Sequence, residues 1–133
     1  MRRLIDQKYI QDIKAHFQDK QGVDYVIVFG SAVRDLRPDS DIDILVGARL
    51  NFQQKVNSAL SLEQQVGRKV DVVCIDDAEC TLALEAFAKG MPVVLNDRQR
   101  LKRDYLRKFR EYEDNIPLRY IREAKLKRDL LRH

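Results

Sequence analysis

A chain of 133 residues, 44% of them apolar, has the length of one domain and enough apolar material for a core. No apolar run approaches the ~20 residues of a membrane helix, and the start, MRRLIDQKYIQD, has positive charge with no apolar stretch behind it, so neither a membrane span nor a signal peptide is expected and the cytoplasm is. Residues 1–97 carry 12 Lys/Arg and 15 Asp/Glu, a net of −3, whereas residues 98–133 carry 13 and 6, a net of +7; the overall +4 belongs to the tail, and a basic end suits nucleic acid, an anionic surface or an acidic protein face.

Ile5, Tyr9, Ile13 and Phe17 stand four apart and predict a helix over 5–18, ended by Gly22. The run Tyr25-Val-Ile-Val-Phe29 is continuous, aromatic and β-branched, the pattern of a fully buried strand. Ser31 is expected to cap a short helical turn through Arg34, and Leu36-Arg-Pro-Asp-Ser40 reads as a turn. A second strand follows, with Ile42, Ile44 and Val46 alternating with Asp41, Asp43 and Leu45.

Phe52, Val56, Leu60, Leu62 and Val66 predict a helix closed by Gly67. Residues 70–75 predict a third strand, with Asp76-Asp77 as the cap of a helix that runs to Gly90. Met91–Leu95 reads as a small edge strand because of Pro92. In the tail, Leu101, Tyr105, Phe109 and Tyr112 share a helical stripe, and Tyr120, Ile121, Ala124 and Leu131 a less regular one; two helices divided at Asn115-Ile116-Pro117 are expected. The two cysteines, Cys74 and Cys80, are too few for a disulfide framework and read as core thiols, and no Cys/His spacing suggests zinc. Alternating strands and helices in one small core indicate a mixed α/β layer, with a domain over 1–97 and a basic helical extension over 98–133 packed on that domain or on a partner.

Residues 28–46, VFGSAVRDLRPDSDIDILV, carry the chemistry. Asp41 and Asp43 are two apart on a strand, so both side chains leave the same face. Carboxylates side by side repel unless a cation lies between them, and Mg²⁺ is hard, oxygen-seeking and commonly shared between carboxylates and phosphates. Gly30 permits tight turning and close approach of a phosphate, and Ser31 offers a hydroxyl at a helix start. Asp71, inside VDVVCI, is poorly placed for a neutral core strand. If that strand lies beside the second, three carboxylates gather, able to hold two metals about 3.5–4 Å apart, and Asp71 becomes the candidate for taking a proton from an attacking hydroxyl. Arg34 and Arg37 either contact phosphates or solvate the turn.

On these residues the chain resembles the DNA polymerase β-type nucleotidyltransferase superfamily, whose pattern is Gly-Ser, a turn, Asp-x-Asp on a strand and a later strand aspartate. Gly30, Ser31, Asp41, Asp43 and Asp71 match that pattern one by one. Residues 5–95 resemble most closely the minimal MNT proteins, antitoxins encoded beside HEPN-domain toxins. The match departs in one place: GSAVRD lacks a glycine after Arg34, and nine residues separate Ser31 from Asp41 where many members have ten. The resemblance implies a minimal polymerase β-like fold with a small mixed sheet flanked by helices. It implies ATP held with the help of Gly30, Ser31 and Arg34, and two Mg²⁺ ions held by Asp41, Asp43 and Asp71, which would also be the catalytic residues. It implies transfer of AMP to a tyrosine hydroxyl of a HEPN ribonuclease toxin, in an assembly with a toxin dimer. Two other readings stand beside it: an antitoxin that only binds and masks, with a degenerate site, and a nucleotidyltransferase acting on a small molecule or an RNA end, for which the basic tail keeps direct RNA binding open.

Overall fold

The computed structural model describes residues 5–131. Helix α1 (Gln7–Gln18) opens on Asp6, whose carboxylate accepts from the Lys8 amide, and buries Ile10, Ile13 and Phe17. The strands β1 (Tyr25–Phe29), β2 (Ile42–Val46), β3 (Val70–Cys74) and β4 (Met91–Leu95) form one sheet in the order β3-β2-β1-β4. β1 is antiparallel to both β2 and β4, and β2 is parallel to β3, so the sheet is mixed. β1 is buried at every position, as its unbroken apolar run requires of a central strand. β4 is an edge strand, and Pro92 sits beside a register shift opposite Val26 and Ile27, where a missing N–H costs no regular ladder bond.

Between strands lie α2 (Ser31–Arg34), α3 (Phe52–Val66) and α4 (Cys80–Lys89), and α5 (Arg98–Leu131) ends the described chain. Strand alternation divides the core in two. Val26, Val28, Ile42, Ile44 and Val46 face α1 and α3, meeting Ile13, Phe17 and Leu62. Tyr25, Ile27, Phe29 and Leu45 face α4 and α5, meeting Ala83, Ala86, Phe87 and Leu101. The free thiols of Cys74 and Cys80 are both buried.

Four sequence expectations are corrected. Gly30, not Ser31, is the N-cap of α2, and no side chain caps that turn. Glu79, not Asp76-Asp77, precedes α4; Asp76 instead pairs with Arg49 and Arg107, and Asp77 with Lys55, which draws both carboxylates outward. The tail is one helix of 34 residues with Pro117 inside it, not two. Pro117 and both its neighbours are exposed, so the carbonyl deprived of its N–H partner keeps water, and the strong helix formers on either side carry the helix through. The inward face of α5 also differs: Asp104 and Lys108 are its buried positions, while Tyr105 and Phe109 are about two fifths exposed.

Asp104 explains this face. Its carboxylate accepts from the Tyr25 hydroxyl at 2.8 Å and from Arg100 at 3.0 Å, and Arg100 reaches Asp24 at 2.9 Å. Lys108 donates to the Ala78 carbonyl at 2.8 Å. A polar stripe therefore fastens α5 to the sheet, and the aromatics lie along the seam with α4, where Phe87 and Tyr105 meet edge to face at 5.8 Å.

Candidate active site

The chemistry-bearing residues collect at one end of β1 and β2. Gly30 follows β1 with φ +82°, a backbone angle that side chains disfavour. A Cβ there would also lie 2.5 Å from Asp43 Oδ2. Gly30 thus meets two needs at once: the turn into α2 and room for the Asp43 carboxylate against the backbone. Ser31 is the exposed first residue of α2 and Arg34 its exposed last residue.

Asp41 immediately precedes β2 and Asp43 lies within it; both are half-buried. β3 is the neighbour of β2, as the cluster requires, and Asp71 stands opposite Asp43 in the parallel register. Asp71 is exposed because β3 is the other edge of the sheet. Burial holds the Asp43 carboxyl above the usual carboxylate range; negative charge on Asp71 and then on Asp41 pushes the same way, and Lys69 partly offsets them. Ion pairs of the described residues engage Asp24, Asp35, Asp76, Asp77 and Asp104, leaving Asp41, Asp43 and Asp71 outside them.

A cleft of about 640 Å³ opens over this end of the sheet, lined by Ser31, Arg34, Arg37, Ser40, Asp41 and Asp43 among others. Asp71 does not line it; it borders a hollow of about 240 Å³ with Phe52, Lys55 and Val72. Among the described residues no group of three or more His, Cys, Asp or Glu side chains converges closely enough to hold a metal ion. The donor set nonetheless suits a hard cation: all oxygen, two carboxylates in register on adjacent strands and a third two residues away. Beyond burial, the repulsion from Asp71 and Asp41 that adds to the rise of the Asp43 carboxyl is what a divalent cation would relieve.

The sequence reading omitted Arg68. Its guanidinium donates to the carbonyls of Arg37 at 2.6 Å, Ser40 at 3.2 Å and Pro38 at 3.4 Å, across the turn that leads into Asp41. Only its place just ahead of Asp71's strand hinted at a role.

No curated protein matches the chain. In fold it is similar to the crystal structure of the toxin–antitoxin MntA–HepT, with a TM-score of 0.72 at 20% identity over 94% of this chain and 99% of that one. It is similar also to a toxin–antitoxin structure with AMP-PNP, TM-score 0.73 at 20% identity, covering 91% and 98% of the two chains. A third likeness is to a chain of the tri-AMPylated Shewanella oneidensis HEPN toxin in complex with MNT antitoxin, TM-score 0.69 at 19% identity, covering 93% and 98%. At such identities these structures establish a shared fold. Residues 11–99, from the middle of α1 to the start of α5, match the family described as polymerase beta, nucleotidyltransferase, and with the Gly-Ser turn and strand aspartates in place, the chain belongs to that family.

Proposed function

We propose that the chain is an antitoxin that transfers AMP from ATP to a tyrosine hydroxyl of a cognate HEPN-domain toxin and thereby silences it. The observation that carries this reading is the register of β2 and β3, which sets Asp43 against Asp71 with Asp41 two residues away and Gly30 pressed on the Asp43 carboxylate. Family membership supports the reaction class. The fold shared with chains from toxin–antitoxin complexes, one holding AMP-PNP and another an AMPylated toxin, supports the substrate and the partner.

In this reading ATP lies in the 640 Å³ cleft. Gly30 keeps the floor open to the phosphates, and Ser31 and Arg34 donate to their oxygens. Asp41, Asp43 and Asp71 would hold Mg²⁺, which when bound neutralises phosphate charge and acidifies the acceptor hydroxyl. Neighbouring strands stand about 4.8 Å apart, so rotation of side chains at paired positions suffices to bring their carboxylates together. Asp71, exposed at the edge, is open to an incoming protein and takes the proton of the tyrosine hydroxyl. The hydroxyl oxygen then bonds to the α-phosphorus, the bond to the β,γ-pyrophosphate breaks, and pyrophosphate leaves with its electron pair.

One observation favours masking as a second mode of inhibition: the far half of α5 is solvent-exposed and carries Ile116, Tyr120 and Leu130. Intact mass spectrometry of the toxin after incubation with this chain, ATP and Mg²⁺ separates the two. Mass increments of one or more AMP units, abolished by Asp41→Asn with the fold retained, are the expected result. Tight binding and loss of toxicity without any increment would overturn AMP transfer in favour of masking.

A further inference from the structure

We propose that Arg68 is a positioning residue of the active site, a clasp that fixes the 37–40 turn so that Asp41 and the cleft wall stand ready for the triphosphate. The inference rests on the AMP-transfer reading for its substrate and on separate geometry for the clasp itself.

The 37–40 turn is closed by two internal hydrogen bonds. The Arg37 amide donates to Ser40 Oγ at 2.9 Å, and the Ser40 amide donates to the Arg37 carbonyl at 3.0 Å. Asp41 follows directly, and the Ile42 amide donates to the Lys69 carbonyl at 2.9 Å where β2 begins beside β3. One Arg68 nitrogen draws the Arg37, Pro38 and Ser40 carbonyls towards it. These carbonyls belong to a loop and have no sheet partners, and because a second nitrogen, Nε, faces Tyr9, a guanidinium can join the turn to Tyr9 where a single ammonium could not span both. Arg68 is itself held from behind: its guanidinium lies 5.6 Å from the Tyr9 ring, and Nε reaches the Tyr9 hydroxyl at 3.5 Å. Tyr9, on α1, packs against the core. The chain of contacts thus runs from core to Tyr9, to Arg68, to the turn, to Asp41.

The placement gives the clasp its consequence. Arg68 follows the left-handed Gly67 that ends α3 and stands three residues before Asp71. One short segment therefore delivers the third carboxylate and secures the loop that delivers the first. The Ser31–Asp41 connection is tight at nine intervening residues, and within it α2 has no side-chain cap. An external fastener is what such a loop otherwise lacks.

Amide hydrogen exchange and AMP-transfer kinetics on full-length Arg68→Ala and Arg68→Lys chains test this. Arg68→Ala is expected to speed exchange at the Arg37, Ser40 and Ile42 amides at least about tenfold while β1 stays protected. In the same variant the KM for ATP should rise at least tenfold, with a smaller change in kcat, because the loop shapes ground-state binding. Arg68→Lys should recover part of both effects. Unchanged exchange in Arg68→Ala overturns the clasp. Faster exchange with unaltered ATP kinetics overturns the positioning role and leaves a purely structural one. A wild-type chain that transfers no AMP overturns the reaction reading instead, and exchange then decides the clasp alone.

Discussion

Asp43 carries opposite demands. Its carboxylate is half-buried, faces Asp71 in register and lies against Gly30, so burial first and like charge second hold its pKa up. A carboxyl whose folded pKa exceeds its unfolded value binds protons more tightly when folded. Its ionisation therefore works against folding at neutral pH, and this penalty disappears once the pH falls below the unfolded carboxylate pKa. Asp43→Asn, which keeps the shape and removes the charge, should raise the melting temperature of the metal-free chain at pH 7. That advantage should shrink as the pH is lowered through the carboxylate range, and thermal melts with chelator at pH 7 and pH 4 measure it. An advantage equal at both pH values would mean that like-charge repulsion is absent. The same substitution is expected to remove AMP transfer, the usual exchange of stability for function at a charged site.

At the scale of elements, sequence pattern succeeded wherever one element's own residues decide its state. The unbroken run 25–29 became the central strand, Gly67 ended α3 in the left-handed conformation, and Pro92 marked an edge. The pairing of Asp43 with Asp71 followed from strand adjacency that the pattern suggested but did not compel. What escaped was long-range. Tyr25 and Asp104 are 79 residues apart, and neither reveals the other; the aromatic stripe of α5 therefore looked like its inward face when Asp104 and Lys108 occupy it. Pro117 looked like a boundary because an interior proline removes a helix hydrogen bond and crowds the preceding turn; here the site is exposed and the helix continues through it. Arg68 was hidden for the same reason as Asp104, since the carbonyls it binds lie 28–31 residues away and Tyr9 lies 59 away. The Tyr25–Asp104–Arg100 group gives α5 its own test. Burial pushes the Tyr25 phenol far above its ordinary pKa, Asp104 adds to that, and Arg100 partly offsets it, so Tyr25 stays a neutral donor at any working pH. Asp104→Ala leaves a buried hydroxyl and a largely buried guanidinium short of an acceptor, and should cost about 3–5 kcal/mol in urea unfolding. Asp104→Asn keeps an acceptor and should cost about 1–2 kcal/mol. Equal costs for the two would assign the effect to the lost carboxylate charge beside Arg100 rather than to the hydrogen-bond acceptor.

Across the whole molecule, the sheet splits structure from work. One face packs on α1 and α3 and the other on α4 and α5, while Asp41, Asp43 and Asp71 stand at the sheet end beside Gly30. The carboxylates are left where a second protein can reach them, and α5 runs beyond the domain that fastens it. At 1.5 Å per residue its 34 residues span about 50 Å, longer than a small domain is wide. Its aromatic stripe, half-covered at Tyr105 and Phe109 by the seam with α4, continues outward through Ile116 and Tyr120 at helical spacing. Ile116 is 46% exposed and Tyr120 76%, so the domain itself gains little from either. Solvated Lys/Arg side chains explain the tail's charge but not this stripe, and a toxin surface laid along α5 while presenting its tyrosine to Asp71 would account for both. Ile116→Asp with Tyr120→Asp should therefore leave the melting temperature of the isolated chain within a few degrees, yet weaken toxin binding by at least tenfold in calorimetric titration. AMP transfer should fall through the KM for toxin, with the KM for ATP unaltered, because neither Ile116 nor Tyr120 lines the phosphate cleft. Undiminished toxin affinity in the double variant would assign the exposed half of α5 no part in recognition and place the whole contact on the sheet end that carries Asp71.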